Sequence, residues 1–256
     1  SQPEAVAATV RRVAPDLIVN AAAHTAVDKA ESEADLARLI NATTPGRIAQ
    51  EAKALGAHLI HYSTDYVFDG SGDAPRDETA ATGPLSVYGR TKLEGEQLIA
   101  ASGATHLIFR TSWVYAARGG NFAKTMLKLA GERERLTVIA DQIGAPTGAE
   151  LLADVSAHAA RMLRARPELS GLYHCVAAGE TSWHGYATHV IERARAAGHA
   201  IKVAPDAILP IPTTDYPTPA TRPLNSRLDT RRLRDTFDLV LPPWQQGVDR
   251  MLAEIL

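Results

Sequence analysis

Cysteine is almost missing from this sequence. Cys175 stands alone among 256 residues, which excludes an internal disulfide and any multi-cysteine metal site, and its apolar surroundings mark it as a small buried filler. Long hydrophobic runs are missing as well. No stretch of eighteen apolar residues occurs, and the N-terminus has no basic segment leading into an apolar core, so neither a membrane span nor an export signal is predicted and the cytoplasm is the expected compartment. Charge of one sign never accumulates. Lys and Arg number 27 against 29 Asp and Glu, giving a net charge of −2, so neither nucleic acid nor an anionic membrane is an expected partner and small-molecule chemistry fits better. The nine histidines show no HxxxH or HxH spacing for a ligand cluster and read as surface or core residues. The glycine-rich turn of dinucleotide sites is also absent: Gly70-Ser71-Gly72 comes near, but Pro75 stands where a third glycine would fall.

What is present is an alternation of helical and strand-like segments. With 45% hydrophobic and 22% charged residues, the chain can bury a substantial core. A short helix is expected over Pro3 to Val13 and a strand over Asp16 to Asn20, running into Ala21-Ala22-Ala23 and His24-Thr25. Glu33 to Leu55 has the helical period with Gly56 as a stop, and reads as a crossover helix. A strand at His58 to Tyr62, a loop from Val67 to Pro84, a helix from Leu85 to Ala101 and a strand from Thr105 to Thr111 follow. Further on come a helix from Asn121 to about Leu129, a strand at Leu136 to Ala140 and a helix to about Arg164. The loop Gln142 to Gly148 is expected to mark where the chain leaves the main sheet. Gly171 to Val176 is strand-like, Ser182 to Ala197 helical, and Leu239 to Leu256 ends in an amphipathic helix. Ala204 to Pro223, with six prolines, is expected as an ordered surface loop without regular structure. The fold class expected is α/β: a doubly wound parallel sheet of the Rossmann type over residues 1–145, and a smaller substrate-binding lobe over 146–256 that can interleave with the first domain.

The chemistry concentrates between Tyr62 and Lys92. Positions four apart share a helical face, so Tyr88 and Lys92 project together toward whatever the strand before Thr64 presents. An ammonium near a phenol favours phenolate, which eases proton exchange at neutral pH, and the Thr64 hydroxyl can hold a carbonyl oxygen. The pair alone is weak: seven tyrosines in a chain of this length meet a lysine four positions later in roughly one chain in six. Small residues at Ala21 to Ala23 let the backbone approach a ligand at the carboxyl end of a strand.

Five ordered motifs give the pair its weight: His61-Tyr-Ser-Thr-Asp-Tyr-Val-Phe-Asp-Gly70, Val87-Tyr-Gly-Arg-Thr-Lys92, Phe109-Arg-Thr-Ser-Trp-Val-Tyr115, Asp141-Gln-Ile-Gly-Ala-Pro-Thr147 and Arg222-Pro-Leu-Asn-Ser-Arg227. Over essentially the whole chain they resemble the dTDP-4-dehydrorhamnose reductases of the extended short-chain dehydrogenase/reductase superfamily. The resemblance implies hydride transfer from NADPH or NADH to the C4 ketone of dTDP-4-dehydrorhamnose, giving dTDP-L-rhamnose. It implies Tyr88 as proton donor, Lys92 as the group that binds the nicotinamide ribose and depresses the tyrosine pKa, and Thr64 as the ketone's hydrogen-bond donor. Ala22, Ala23, His24, Thr25 and Tyr62 match cofactor-lining positions; Thr64, Asp65 and Trp113 match positions contacting the sugar nucleotide. Arg222 and Arg227 are candidates for gripping the diphosphate, since guanidinium forks suit phosphate oxygens. Some family members hold Mg2+ between subunits through acidic residues, and Glu150 matches one such position; one carboxylate predicts no metal site here, and a homodimer is the expected self-association.

Two features bear on competing readings. Sugar-nucleotide dehydratases similar to this chain carry an Asp-Glu pair after the threonine, because eliminating water needs an acid and a base, whereas here Asp65 is followed by Tyr66. Relatives also begin with a strand, a glycine turn, a helix and a second strand, so the sequence reads as a reductase without its first β-α-β element, and the choice between NADH and NADPH is unreadable. The alternatives are a non-catalytic subunit resembling the regulatory β subunit of methionine adenosyltransferase, against which intact Thr64, Tyr88 and Lys92 argue, and an inactive fragment.

Overall fold

Pro3 starts the first helix, α1 (Pro3–Val13), at a position where its missing N–H costs nothing, and Ala14 closes it in a left-handed turn. The computed structural model describes residues 2–256. β1 (Leu17–Asn20) follows. The single crossover helix expected over Glu33 to Leu55 is instead α2 (Val27–Ser32), α3 (Ala34–Arg38), a π turn (Leu39–Thr43) and α4 (Thr44–Leu55). Pro45 has no N–H to donate back into an unbroken helix, and the widened turn before it accommodates the lost bond. Gly56 ends α4 at φ 68°, as its position predicts.

β2 (His58–Thr64), α5 (Val87–Ala101) and β3 (His106–Thr111) continue the alternation of strand and helix. The chain then crosses a second lobe through β4 (Val114–Tyr115), α6 (Phe122–Glu132), β5 (Leu136–Ile139), β6 (Ile143–Gly144) and β7 (Thr147–Gly148). The Gln142 to Gly148 loop was expected to mark departure from the sheet. The departure comes earlier, after β3, and α7 (Ala149–Ala165) brings the chain back to β8 (Gly171–His174), which pairs parallel with β3 from Leu107↔Gly171. Its residues need cover on both faces, which only the main sheet supplies.

β9 (Thr181–Ser182), α8 (Trp183–Ala196), β10 (Ile208–Ile211), α9 (Arg231–Phe237) and α10 (Trp244–Ile255) finish the chain. The stretch Ala204 to Pro223 is therefore not wholly irregular: β10 pairs parallel with β5, and Pro210 is tolerated because it lies in a two-stranded ribbon. α9 has no counterpart in the sequence reading.

The main sheet has the order β1-β2-β3-β8, all parallel. Successive strand residues point to opposite faces, so Leu59 and Ile108 pack with Ile48, Ala52 and Ile99 on one side, while Ile60, Leu107 and Phe109 meet Leu152, Leu163 and Phe237 on the other. Each such large apolar side chain, once buried, contributes about 1.5–3 kcal/mol. The second lobe has its own cores, one around Tyr186, Trp244 and Val248 and one around Leu136, Ile191 and Ile208. Because every strand of the main sheet runs the same way, their carboxyl ends share one edge, and that edge faces the second lobe.

Candidate active site

A cavity of about 710 Å³ opens at that edge. β1 contributes Ala21, Ala22 and Ala23 beyond its end, with Thr25; β2 contributes Tyr62 and Thr64, with Asp65 and Tyr66; β3 contributes Thr111, with Ser112 and Trp113; and α5 contributes Tyr88 and Lys92. The helical spacing thus does bring the tyrosine and lysine together against the end of β2.

α5 is fixed by backbone contact. Ser86 caps it by accepting the Gly89 N–H at 3.2 Å. A Cβ on Gly89 would lie 2.2 Å from the Tyr66 carbonyl oxygen, and one on Gly95 would lie 2.1 Å from the Asn41 carbonyl oxygen, so only glycine permits this approach. Asn41, in the π turn, accepts the His24 N–H at 2.8 Å and donates to Thr91 at 3.2 Å, tying the turn after β1 to α5.

Lys92 is 2% exposed, and its Nζ donates to the Tyr62 carbonyl oxygen at 2.6 Å. Burial brings the lysine down to about 8, opposed by the Glu96 carboxylate. Burial likewise pushes the Tyr88 phenol up to about 12, with a hydrogen bond to Thr64 pulling the other way and the Asp65 charge adding to the rise. Desolvation is the largest influence on both groups, and the Lys92 ammonium is anchored on the Tyr62 carbonyl. Tyr66 stands edge-on to Tyr88, ring centroids 5.6 Å apart. Thr64 donates to Asp65 at 3.1 Å and accepts the Tyr66 N–H at 3.2 Å. Asp65 is buried and is pushed up to about 6 by desolvation, with Ser226 and Thr64 opposing. Its Oδ2 and the Thr111 hydroxyl are buried without partners, in two residues that line the cavity.

Trp113 lies on the wall with φ at 48°, a left-handed backbone for a bulky residue. It stacks on Trp183, centroids 3.8 Å apart, and Trp183 is held by its indole N–H to Gln142 at 3.0 Å. Trp183 also lines a second cavity of about 660 Å³, which contains Arg133, Arg135, Tyr216 and Arg222.

Other expected residues fall elsewhere. His24 is not on the wall; its ring bonds Glu33 at 3.0 Å. Arg222 and Arg227 do not converge: Arg222 grips Asp28 beside the second cavity, and Arg227 pairs with Glu180 at 2.7 Å beside a third. A joint grip on one diphosphate is therefore replaced by two separate ion pairs. Glu150 pairs with Arg250 at 3.2 Å, and among the described residues no three His, Cys, Asp or Glu side chains gather to hold a metal, so no step through Mg2+ is derived. Tyr66 and Trp183 are site residues the sequence reading did not single out. Tyr66 could have been found from its place beside Asp65; Trp183 gives no local signal.

The site suits a nicotinamide cofactor: an alanine ledge admits a flat group, and a buried lysine and a tyrosine border it. The chain matches the family described as RmlD substrate binding domain over residues 1–256. It is 62% identical over 255 residues to a dTDP-4-dehydrorhamnose reductase of Shigella flexneri, covering 100% of this chain and 85% of that protein, and 62% identical with the same coverage to the one of Escherichia coli strain K12. Among solved structures, a dTDP-4-dehydrorhamnose reductase of Clostridium acetobutylicum superposes with a TM-score of 0.89 at 35% identity, covering 99% of this chain and 86% of that one. One from Bacillus anthracis, in complex with NADP, superposes with a TM-score of 0.88 at 36% identity, covering 99% and 85%. The chain with its Thr64, Tyr88 and Lys92 on one cavity belongs to the dTDP-4-dehydrorhamnose reductase family.

Proposed function

We propose that Thr64, Tyr88 and Lys92 carry the reduction of the C4 ketone of dTDP-4-dehydrorhamnose to dTDP-L-rhamnose at the 710 Å³ cavity. The convergence of these three side chains at the carboxyl ends of parallel strands is the observation that carries the reading. NADPH or NADH, when bound, supplies the hydride to the carbonyl carbon. Ala22, Ala23, Thr25 and Tyr62 border the space for it, and Lys92 reaches the same space from α5. The Thr64 hydroxyl holds the ketone oxygen, and the Tyr88 phenol gives its proton to that oxygen as negative charge develops there. One hydride and one proton turn the ketone into an alcohol, so no second acid or base is required.

That count explains Tyr66. It stands where an elimination would want a second carboxylate, and burial and the Asp65 charge push its phenol up, away from the phenolate. The stacked Trp113 and Trp183 form a wall for the sugar, and the cavity beyond Trp183, with Arg222, Arg133 and Arg135, suits the nucleotide diphosphate. A non-catalytic role like that of a regulatory subunit is not favoured, because the relatives of high identity are reductases and Thr64, Tyr88 and Lys92 line one cavity. The direct test is loss of absorbance at the reduced-nicotinamide band on mixing the protein with dTDP-4-dehydrorhamnose and NADPH or NADH. Oxidation dependent on the sugar supports the reading; cofactor that stays reduced with the sugar present, for NADPH and NADH alike, overturns it.

No helix of the described residues is long and apolar enough to cross a membrane. A homodimer, with the Glu150 and Arg250 face between copies, remains the proposed assembly, to be checked by light scattering.

A further inference from the structure

Behind Lys92 runs a buried chain of polar groups that the reduction as described does not use. His61 precedes Tyr62 on β2 and therefore points to the opposite face of the sheet. It is 0% exposed. Its Nε2 lies 3.3 Å from Lys92 Nζ, and its Nδ1 lies 3.0 Å from the carboxamide nitrogen of Asn20, the last residue of β1.

Desolvation, then the charge of Lys92 and then that of His106, keep this imidazole neutral. A neutral imidazole has one N–H and one lone pair, and an ammonium only donates. Facing charged Lys92, Nε2 must accept; Nδ1 then carries the proton, and Asn20 must receive it on oxygen. In the placement observed, the Asn20 oxygen takes the Ala22 N–H at 3.3 Å and its nitrogen faces Nδ1, a pattern that suits neutral lysine with Nε2–H donating to Nζ. A half-turn of the carboxamide converts one pattern to the other. The charge on Lys92, the tautomer of His61 and the orientation of Asn20 are thus one coupled state.

We propose that His61, set by Asn20, is a positioning residue for the reduction: it holds the Lys92 ammonium by one N–H, the Tyr62 carbonyl holds a second, and the third is left for the cavity. This rests on the role given to Lys92 above. The groups that face the pair are Asn20 from β1, the Tyr62 carbonyl from β2, His106 from β3 and Glu96 from α5. None but Glu96 carries negative charge, so the hydrogen bond from Lys92 to His61 is one of few contacts that favour the charged lysine.

The test reads Lys92 without turnover. The sequence has six lysines, so the protein labelled with 13C at lysine Cε gives few enough signals to follow Lys92 through a pH titration, assigned by its loss in Lys92→Arg. In His61→Leu the Lys92 titration and the alkaline limb of the kcat profile should both move down by about one unit, so that kcat falls about twofold near neutrality and about tenfold on the alkaline limb, with the sugar KM changing less than about threefold. His61→Gln, which can still accept at the Nε2 position, should restore both. Asn20→Asp, which accepts from Nδ1–H and cannot donate, should move the titration up. An unchanged Lys92 titration in His61→Leu, equal damage in His61→Gln, or no rise in Asn20→Asp overturns the proposal; if His61→Leu does not fold, the other two variants decide. Turnover retained by Tyr88→Phe would instead overturn the reductase reading, leaving the Lys92 titration to stand by itself.

Discussion

The guanidinium of Arg222 meets both carboxylate oxygens of Asp28, at 3.0 and 2.7 Å, across 194 residues of sequence. This fork joins the proline-rich loop of the second lobe to α2, next to the strand that carries the alanine ledge. The hydrogen bond to Arg222 holds the Asp28 carboxyl below its usual range.

Two roles for Arg222 predict different kinetics. As a phosphate ligand, its replacement by Ala should raise the KM for the dTDP-sugar about tenfold with kcat little changed, while Asp28→Asn should leave KM nearly alone. As a loop clasp only, both variants should lose the same about 0.5–1 kcal/mol of a half-exposed ion pair and leave KM unchanged. Steady-state kinetics alongside urea denaturation separates them.

Tyr88→Phe should lower kcat by about 100-fold or more, because the nascent alkoxide loses its proton donor. The ring stays edge-on to Tyr66, so the melting temperature should hardly move. Nicotinamide absorbance and calorimetry on the same sample check both halves.

Asp65 gives a pH dependence whose sign is fixed by its burial. Its carboxyl is raised from 3.8 to about 6 in the fold, so the folded chain binds this proton more tightly than the unfolded one. The stability it contributes is complete below about 3.8 and lost as pH rises through about 6. Asp65→Asn should therefore exceed the parent in stability above that pH by up to about 3 kcal/mol and match it in acid. His174, buried and lowered to about 3, acts in the opposite direction in both proteins and cancels from the difference. Urea midpoints of the two proteins at several pH values read the effect; a constant gap across pH would remove Asp65 as its source.

Glu96 accepts two bonds from Arg110, at 2.9 and 2.6 Å, and one from Ser63 at 2.5 Å, all buried between α5 and the sheet. Glu96→Ala strands a buried guanidinium and should cost about 3–5 kcal/mol, visible as a lower urea midpoint. Replacing both partners, Glu96→Leu with Arg110→Met, should recover most of that loss.

How much of this was readable in advance depends on chain distance. Thr64, Tyr88 and Lys92 fall within one stretch, and a helix spacing of four decides which of them meet. Trp183 reaches the cavity, and Arg222 the one beyond it, from the second lobe through contacts that no local period encodes. The π turn at Leu39–Thr43 was invisible because an ordinary helical pattern runs through it, and its cause lies in Pro45 together with the need to aim Asn41 at His24 and Thr91. β10 was hidden by prolines, whose missing N–H groups matter little on a ribbon. The protonation of Tyr88 is not legible from spacing: spacing shows which side chains are neighbours, while burial, a property of the whole fold, raises its phenol.

Trp113 holds a backbone angle that suits glycine or asparagine and that costs an indole-bearing residue about 1–3 kcal/mol. Any search for heat-tolerant versions of this chain would be drawn to that position, and Trp113→Gly would be among the variants it rewarded. The same change would remove half of the aromatic stack that walls the proposed sugar site. At this one residue, ruggedness and turnover draw on the same torsion in opposite directions, so a collection of variants sorted by melting temperature alone would enrich for poor reductases.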